Sequence, residues 1–253
     1  MANLKIALIG STGRLGSTLM ELYGDDIIPT DFRVQHLCDI EDWVNKHRNE
    51  FSVVINTAAK TDVCECEEFP NEAFKTNVLG AFNVARAFNA RGKSVIYIST
   101  DHVFGGKNKW AWSEEDCPEP IGVYAMSKYL GEEATITTGR KNLIIRTSFI
   151  KDFPLERAFE DKYFSGDTID IIAKEIWEAA KCFKYVLYYL DGTILHIGTG
   201  KHSIYDIAKK LNPEVLPMKL SENPINKVGL DYLRDTTLNS SRWTYLKERL
   251  DIE

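Results

Sequence analysis

Apolar residues in the first 150 positions alternate between two rhythms. KIALIG (5–10), DIIPT (26–30), SVVINT (52–57), SVIYIST (94–100) and NLIIRTS (142–148) are short, apolar and rich in Val and Ile, which predicts strands. Their near-continuous hydrophobicity predicts burial on both faces. Between them, 13–23, 40–50, 71–91 and 122–137 have the length and spacing of amphipathic helices, with Ala73, Phe74, Val78, Ala81, Phe82, Ala85 and Phe88 forming one stripe. Repeated strand, helix, strand units predict an α/β fold built on a doubly wound parallel sheet with right-handed crossovers.

After Ser148 the rhythm loosens. Residues 151–167 are polar and interrupted by Gly and Pro, 168–184 resume a helix, and TILHIG (193–198) reads as another strand. Residues 203–211 predict a short helix capped by Ser203, and the Pro and Asn content of 212–226 predicts loops.

Composition narrows the class without naming it. With 253 residues, 44% hydrophobic and 27% charged, the chain is long enough for one large core with a smaller lobe. The net charge is −6, and residues 201–253 carry nine Lys/Arg against eight Asp/Glu, so no basic stripe suggests a nucleic-acid partner. No run approaches the roughly 18 apolar residues of a membrane span, and MANLKIALIG meets glycine too early for a secretory signal, so a cytoplasmic protein is expected. Cys38, Cys64, Cys66, Cys117 and Cys182 are odd in number and irregular in spacing, which argues against a disulfide framework. The lone C-x-C of Cys64 and Cys66 lacks the second ligand pair that a zinc site needs, and no metal is expected.

Candidate chemistry begins directly after the first strand. ALIGSTGRLGSTL sets Gly10, Gly13 and Gly16 in a G-x-x-G-x-x-G array that opens a helix. Gly10 permits the tight turn, Gly13 lets a pyrophosphate approach backbone N–H groups, and Gly16 allows helix and strand to pack closely. Thr12, Arg14 and Leu15 complete this loop as dinucleotide-binding candidates. Asp31 lies 15 residues beyond Gly16, after the second strand, where a carboxylate accepts from adenosine ribose hydroxyls and repels a 2′-phosphate. NADH is therefore favoured, while Arg33 nearby keeps NADPH open.

Tyr124 and Lys128 stand four apart within VYAMSKYLGEE and project from one helix face. An ammonium beside a phenol stabilises the phenolate, which gives a proton donor and acceptor for a carbinol or carbonyl. Ser99 and Thr100 close SVIYIST at the carboxyl end of a strand, where doubly wound folds place ligands. The Thr100 hydroxyl can hydrogen-bond the same oxygen.

GSTGRLG, INTAAKTDVCECE, the asparagine of KTNVLGAFNVA, ISTDHVFGG, YAMSKYLGEE and IIRTSFI occur in the order seen in extended short-chain dehydrogenase/reductases. The chain most resembles the dTDP-4-dehydrorhamnose reductases among them, strongly over 1–150 and thinly afterwards, where TILHIGTG and TTLNSSRW are similar to late family segments. The resemblance implies an NAD(P)H-dependent reductase of a nucleotide-linked 4-keto-6-deoxy sugar, with Thr100, Tyr124 and Lys128 catalytic. It further implies that Tyr124 and Lys128 also contact the cofactor, that Ala58, Ala59 and Lys60 line it, and that Asp39 and Ile40 flank its adenine. Thr61, Val63, Thr100, His102 and Phe149 are then expected at the sugar, Arg242 at the nucleotide diphosphate, and Asn77 ordering local backbone and a water. Residues 1–150 are expected to form the Rossmann-like cofactor core, completed by 168–198, with 151–167 and 199–253 as a small substrate-binding lobe.

Departures from the family pattern also inform. Sugar 4,6-dehydratases of this superfamily read Thr-Asp-Glu, whereas the third position here is His102, so the acid/base pair for elimination is missing. The reductases usually carry tyrosine at His102 and tryptophan at Phe149. An epimerase that returns its hydride, and a non-catalytic NAD(P)-binding regulatory subunit, are the alternatives; the intact Thr100, Tyr124 and Lys128 argue against the latter. The helices at 71–91 and 122–137 could supply a homodimer interface or simply core.

Overall fold

The computed structural model describes residues 5–105, 111–139, 141–190, 192–222 and 234–252. In chain order the elements are β1 (Lys5–Ile9), α1 (Arg14–Tyr23), β2 (Ile27–Pro29), α2 (Leu37–His47), β3 (Phe51–Asn56), α3 (Val63–Glu68), α4 (Pro70–Phe74), α5 (Gly80–Asn89), β4 (Ser94–Thr100), α6 (Gly122–Thr138) and β5 (Leu143–Thr147). They continue with β6 (Phe149–Ile150), β7 (Arg157–Phe159), β8 (Tyr163–Phe164), β9 (Asp167–Thr168), α7 (Ile169–Lys181), α8 (Phe183–Tyr189), β10 (Ile194–His196), β11 (His202–Ser203), α9 (Ile204–Leu211), β12 (Leu216–Met218) and α10 (Ser241–Leu250).

Each of the six apolar runs expected to be a strand forms one, and together they make a six-stranded sheet ordered β10-β5-β4-β3-β1-β2. The pairs β1–β2, β1–β3 and β3–β4 are parallel. The chain leaves β1 for β2 on one side and returns to β3 on the other. That reversal creates a crevice beyond the carboxyl ends of β1 and β3, the place where open α/β sheets bind ligands.

Burial follows the sequence pattern. β4 is buried at all seven positions and β3 at five of six, as continuous apolar runs require. Ala7, Ile9, Ile40, Val44, Val54, Val84 and Phe88 pack in one cluster, with Trp43 5.6 Å from Phe51 and 6.2 Å from Phe88 between ring centroids. Full burial of each such Ile or Phe contributes roughly 1.5–3 kcal/mol.

The chain divides into two compact units. The first comprises Met1–Ser99, Gly122–Ile145 and Ile176–Ile194; the second comprises Thr100–Ile121, Arg146–Glu175 and Leu195–Glu253. The second unit is assembled from short pairings, β7 with β12, β8 with β11 and β6 with β9.

Three differences from the sequence pattern have physical causes. The helix expected at 71–91 is α4 and α5 joined by a π-helical segment, Lys75–Leu79, which turns Asn77 inward. Of its apolar stripe, Ala73, Ala81, Ala85 and Phe88 are core, whereas Phe82 is exposed together with its neighbour Leu79. The expected loop at 212–226 contains β12, recruited because Leu216 N–H reaches the Glu156 carbonyl at 2.9 Å; positions 223–226 lie outside the described residues. The cap at Ser203 is present as a full capping box, the Asp206 N–H donating to Ser203 Oγ at 3.0 Å and the Ser203 N–H to Asp206 Oδ2 at 2.8 Å.

Candidate active site

In the first unit, the glycine loop leaves β1 through Gly10 at φ +80°, a conformation that disfavours side chains. Gly13 N–H donates to the Gly10 carbonyl at 3.0 Å, and Gly13 then opens α1 with no side-chain cap. The first turn of α1 therefore carries no capping side chain, as an anion-binding helix start requires. A Cβ on Gly16 would overlap the Gly10 carbonyl oxygen, so the close approach of helix to loop depends on that glycine. Thr57, absent from the sequence expectations, joins the ends of β1 and β3 by donating from Oγ1 to the Ile9 carbonyl at 2.7 Å.

The loop residues differ in what they can offer. Thr12, Gly13 and Arg14 are exposed, whereas Leu15 is buried and Gly16 hidden beneath the turn, leaving the backbone as their contribution. Asp31 and Arg33 are exposed just past β2. Asp39 is exposed and meets His36 Nδ1 at 3.2 Å, while the Ile40 side chain points into the core and is not available to flank a base.

Asn77 organises the segment after β3. Its Oδ1 accepts from Lys60 N–H at 2.8 Å, its Nδ2 donates to the Lys60 carbonyl at 2.9 Å, and Nδ2 also donates to Ser127 Oγ on α6 at 2.9 Å. Ala58, Ala59 and Lys60 are half-buried, Thr61 is exposed and Val63 half-buried at the head of α3. The Lys60 ammonium is occupied by Glu65 at 2.5 Å, leaving the pinned backbone as the part of Lys60 that shapes the crevice. Replacing Asn77 with alanine removes the partners of the partly buried Lys60 amide and carbonyl, and a loss of about 2 kcal/mol in urea-denaturation stability is expected. An unchanged midpoint would contradict this account.

On α6, Tyr124 is half-buried and Lys128 is 3% exposed. Lys128 Nζ donates to the Ile98 carbonyl at 2.7 Å and lies 4.1 Å from the Tyr97 ring centroid. Burial lowers its pKa to about 7, opposed by the carboxylate of Glu132. Glu132, fully buried one further turn along α6, accepts from Ser99 Oγ at 2.5 Å. Tyr124, Lys128 and Glu132 thus recur at helical spacing. Glu132 is a functional candidate the sequence expectations missed, and the i+4 spacing from Lys128 was the available signal; its partner Ser99 reads from the sequence only as closing the strand beside Thr100.

In the second unit, the Thr100 hydroxyl donates to Asp101 Oδ1 at 3.2 Å and accepts from His102 N–H at 3.2 Å. Burial and Lys162 lower the pKa of His102, with Asp101 opposing. Phe149 is half-buried on β6, opposite Asp167 of β9. Arg242 is paired with Glu115, so its guanidinium already has an anionic partner. Among the described residues there is no group of three or more His, Cys, Asp or Glu placed to hold a metal, the five cysteines are free thiols, and no helix is long and apolar enough to cross a membrane.

The chain is similar to known proteins to different extents. The chain is 32% identical over 154 residues to the spore coat polysaccharide biosynthesis protein SpsK of Bacillus subtilis, covering 58% of this chain and 53% of that one. It is 32% identical over 156 residues to the dTDP-4-dehydrorhamnose reductase of Salmonella typhimurium, covering 58% and 52%. The chain thus matches about half the length of these curated relatives. A crystal structure of dTDP-4-dehydrorhamnose reductase from Bacillus anthracis in complex with NADP superposes with a TM-score of 0.78 at 24% identity, over 98% of this chain and 99% of that one, which establishes a shared fold. The family described as the RmlD substrate binding domain matches residues 4–155, the stretch that holds the glycine loop, Asn77, Thr100, Tyr124 and Lys128, and the chain belongs to that family.

Proposed function

We propose that this protein reduces the C4 keto group of a nucleotide-linked 4-keto-6-deoxy sugar, using NADH or NADPH. The observation that carries the reading is α6, where Tyr124 shares a face with a buried Lys128 fixed by Ile98 and balanced by Glu132. The capless start of α1 and the glycine cradle suit a dinucleotide pyrophosphate, because a side chain at Gly16 would occupy the space the helix needs. Gly10, Thr12, Gly13, Arg14, Leu15 and Gly16 would hold the phosphates, with Ala58, Ala59 and Lys60 beside them.

The dinucleotide, when bound, supplies the hydride to C4. Tyr124 donates its proton to the C4 oxygen as negative charge develops there. Lys128 orients the ribose and, through its charge, eases the loss of that proton. Thr100 hydrogen-bonds the same oxygen, and Thr61, Val63, His102 and Phe149 line the sugar. Arg242, paired with Glu115, would have to exchange that partner to meet a diphosphate. His102 in place of the dehydratase glutamate supports reduction over elimination.

The test is oxidation of NADH and NADPH, followed by absorbance, against a panel of nucleotide-linked 4-keto-6-deoxy sugars. Stoichiometric consumption of reduced cofactor with at least one sugar is expected; no consumption with any overturns the proposal. Within the same assay, the exposed Asp31 carboxylate should make NADH the better donor by roughly tenfold in kcat/KM, about 1.4 kcal/mol. Asp31→Ser should narrow that ratio, and a ratio unmoved by the substitution removes Asp31 from cofactor choice.

A further inference from the structure

Thr100 has one hydroxyl proton and two lone pairs, and the second unit already accounts for most of them. The proton goes to Asp101 Oδ1 at 3.2 Å, and one lone pair accepts from His102 N–H at 3.2 Å. One lone pair remains. Asp101 is held in its turn: it is 2% exposed, and its other oxygen, Oδ2, accepts from Thr236 Oγ1 at 2.6 Å. Thr236 is itself fixed, also 2% exposed, with its N–H donating to the Tyr163 carbonyl at 3.0 Å. Next to Tyr163, the half-buried Lys162 ammonium lies within electrostatic range of Asp101 and provides a balancing positive charge.

We propose that Asp101 is a positioning residue that makes Thr100 a hydrogen-bond acceptor toward the substrate oxygen. This inference rests on the reductase reading, and it changes the role of Thr100 within it. A ketone oxygen only accepts hydrogen bonds, whereas the carbinol formed by reduction also donates. Thr100 as held by Asp101 complements the carbinol; to meet the ketone it must release Asp101. Asp101 therefore biases the site toward the reduced sugar. Thr236 gives the substitution Asp101→Asn a definite consequence. Its hydroxyl reaches the Asp101 position at 2.6 Å and the Tyr163 carbonyl only at 3.5 Å, so it keeps the nearer acceptor: the amide oxygen faces Thr236 and the amide N–H2 turns toward Thr100. The Thr100 proton is then free to point at a ketone.

The decisive measurement compares the KM for the keto sugar with the inhibition constant of the reduced sugar product in the NAD(P)H-dependent reaction. In Asp101→Asn the first should fall and the second rise, each by about tenfold, the size of one neutral hydrogen bond. Loosened structure would weaken both together. In a Thr100→Val background the Asp101→Asn substitution should produce no such split, because the group it redirects is gone. Both constants moving in the same direction, or a split that persists without Thr100, overturns the proposal. A second readout needs no turnover: in wild-type protein loaded with NADPH, the Thr100 hydroxyl proton should give a slowly exchanging NMR resonance, absent in Thr100→Val. If the wild type lacks that resonance, the Thr100–Asp101 bond is refuted whatever the kinetics. If the resonance is present but no 4-keto sugar is turned over, the reductase reading fails, and the ketone-versus-carbinol role fails with it.

Discussion

Tyr124→Phe should lower turnover by roughly 10²- to 10⁴-fold, the usual worth of a positioned proton donor, while leaving dinucleotide affinity nearly unchanged. Loss of the hydroxyl removes the proton but not the ring, and α6 keeps its packing. The buried groups along the helix are Ala125, Ser127, Lys128, Gly131, Glu132 and Thr135, while Tyr124 is half-buried. Stability should therefore shift by well under 1 kcal/mol. Cofactor binding, followed by nicotinamide fluorescence, separates the two consequences: affinity within about threefold of wild type, with turnover collapsed, is the expected pattern. Retention of more than about a tenth of wild-type kcat would remove Tyr124 as the donor. Lys128→Met should differ in kind. It strips the Ile98 carbonyl and Glu132 of a buried cation, so affinity, turnover and stability should all fall.

Whether a feature could be read from the sequence depended on whether its cause was local. β1, β3 and β4 are continuous Val/Ile runs, and burial on both faces follows from that pattern alone. The glycine array and Ser203 are equally local, since each acts on the turn in which it stands. The π-helical segment is not. Nothing in KTNVL distinguishes it from ordinary helix, and its extra residue per turn makes sense only once Asn77 is seen clasping both sides of the Lys60 peptide. Glu132 misleads for a related reason: in KYLGEE it reads as solvated surface, yet it is fully buried, with Ser99 coming to it from β4 and Lys128 one turn away on the same helix. Asp101 and Thr236, 135 positions apart, share one hydrogen bond that no periodicity anticipates. β7, β8 and β12 are two or three residues long, too short for alternation to register.

Gly16→Ala is the second large effect, and it acts on binding rather than on proton transfer. The added methyl would overlap the Gly10 carbonyl oxygen and come within 2.9 Å of Ser11 Cα, both backbone atoms that cannot swing aside. Gly10 has little freedom to yield. Its φ of +80° is fixed by the turn, a Cβ built there would lie 2.8 Å from Thr57 Oγ1, and Thr57 is itself bonded to the Ile9 carbonyl at 2.7 Å. Relief must come from α1, which has to move away from the loop by a sizeable fraction of an ångström. Overpacking of this kind costs about 1–3 kcal/mol in stability. The helix start would also lose its alignment with Gly10 and Gly13, and displacements near 1 Å at a positioned site cost on the order of 10²-fold. The expected result is a folded protein, with its circular dichroism spectrum retained and Tm lowered, whose affinity for NADH and NADPH falls about 10²-fold. A substitution that lowered Tm yet left both affinities intact would show that the glycine serves packing alone, and would detach the dinucleotide from this loop.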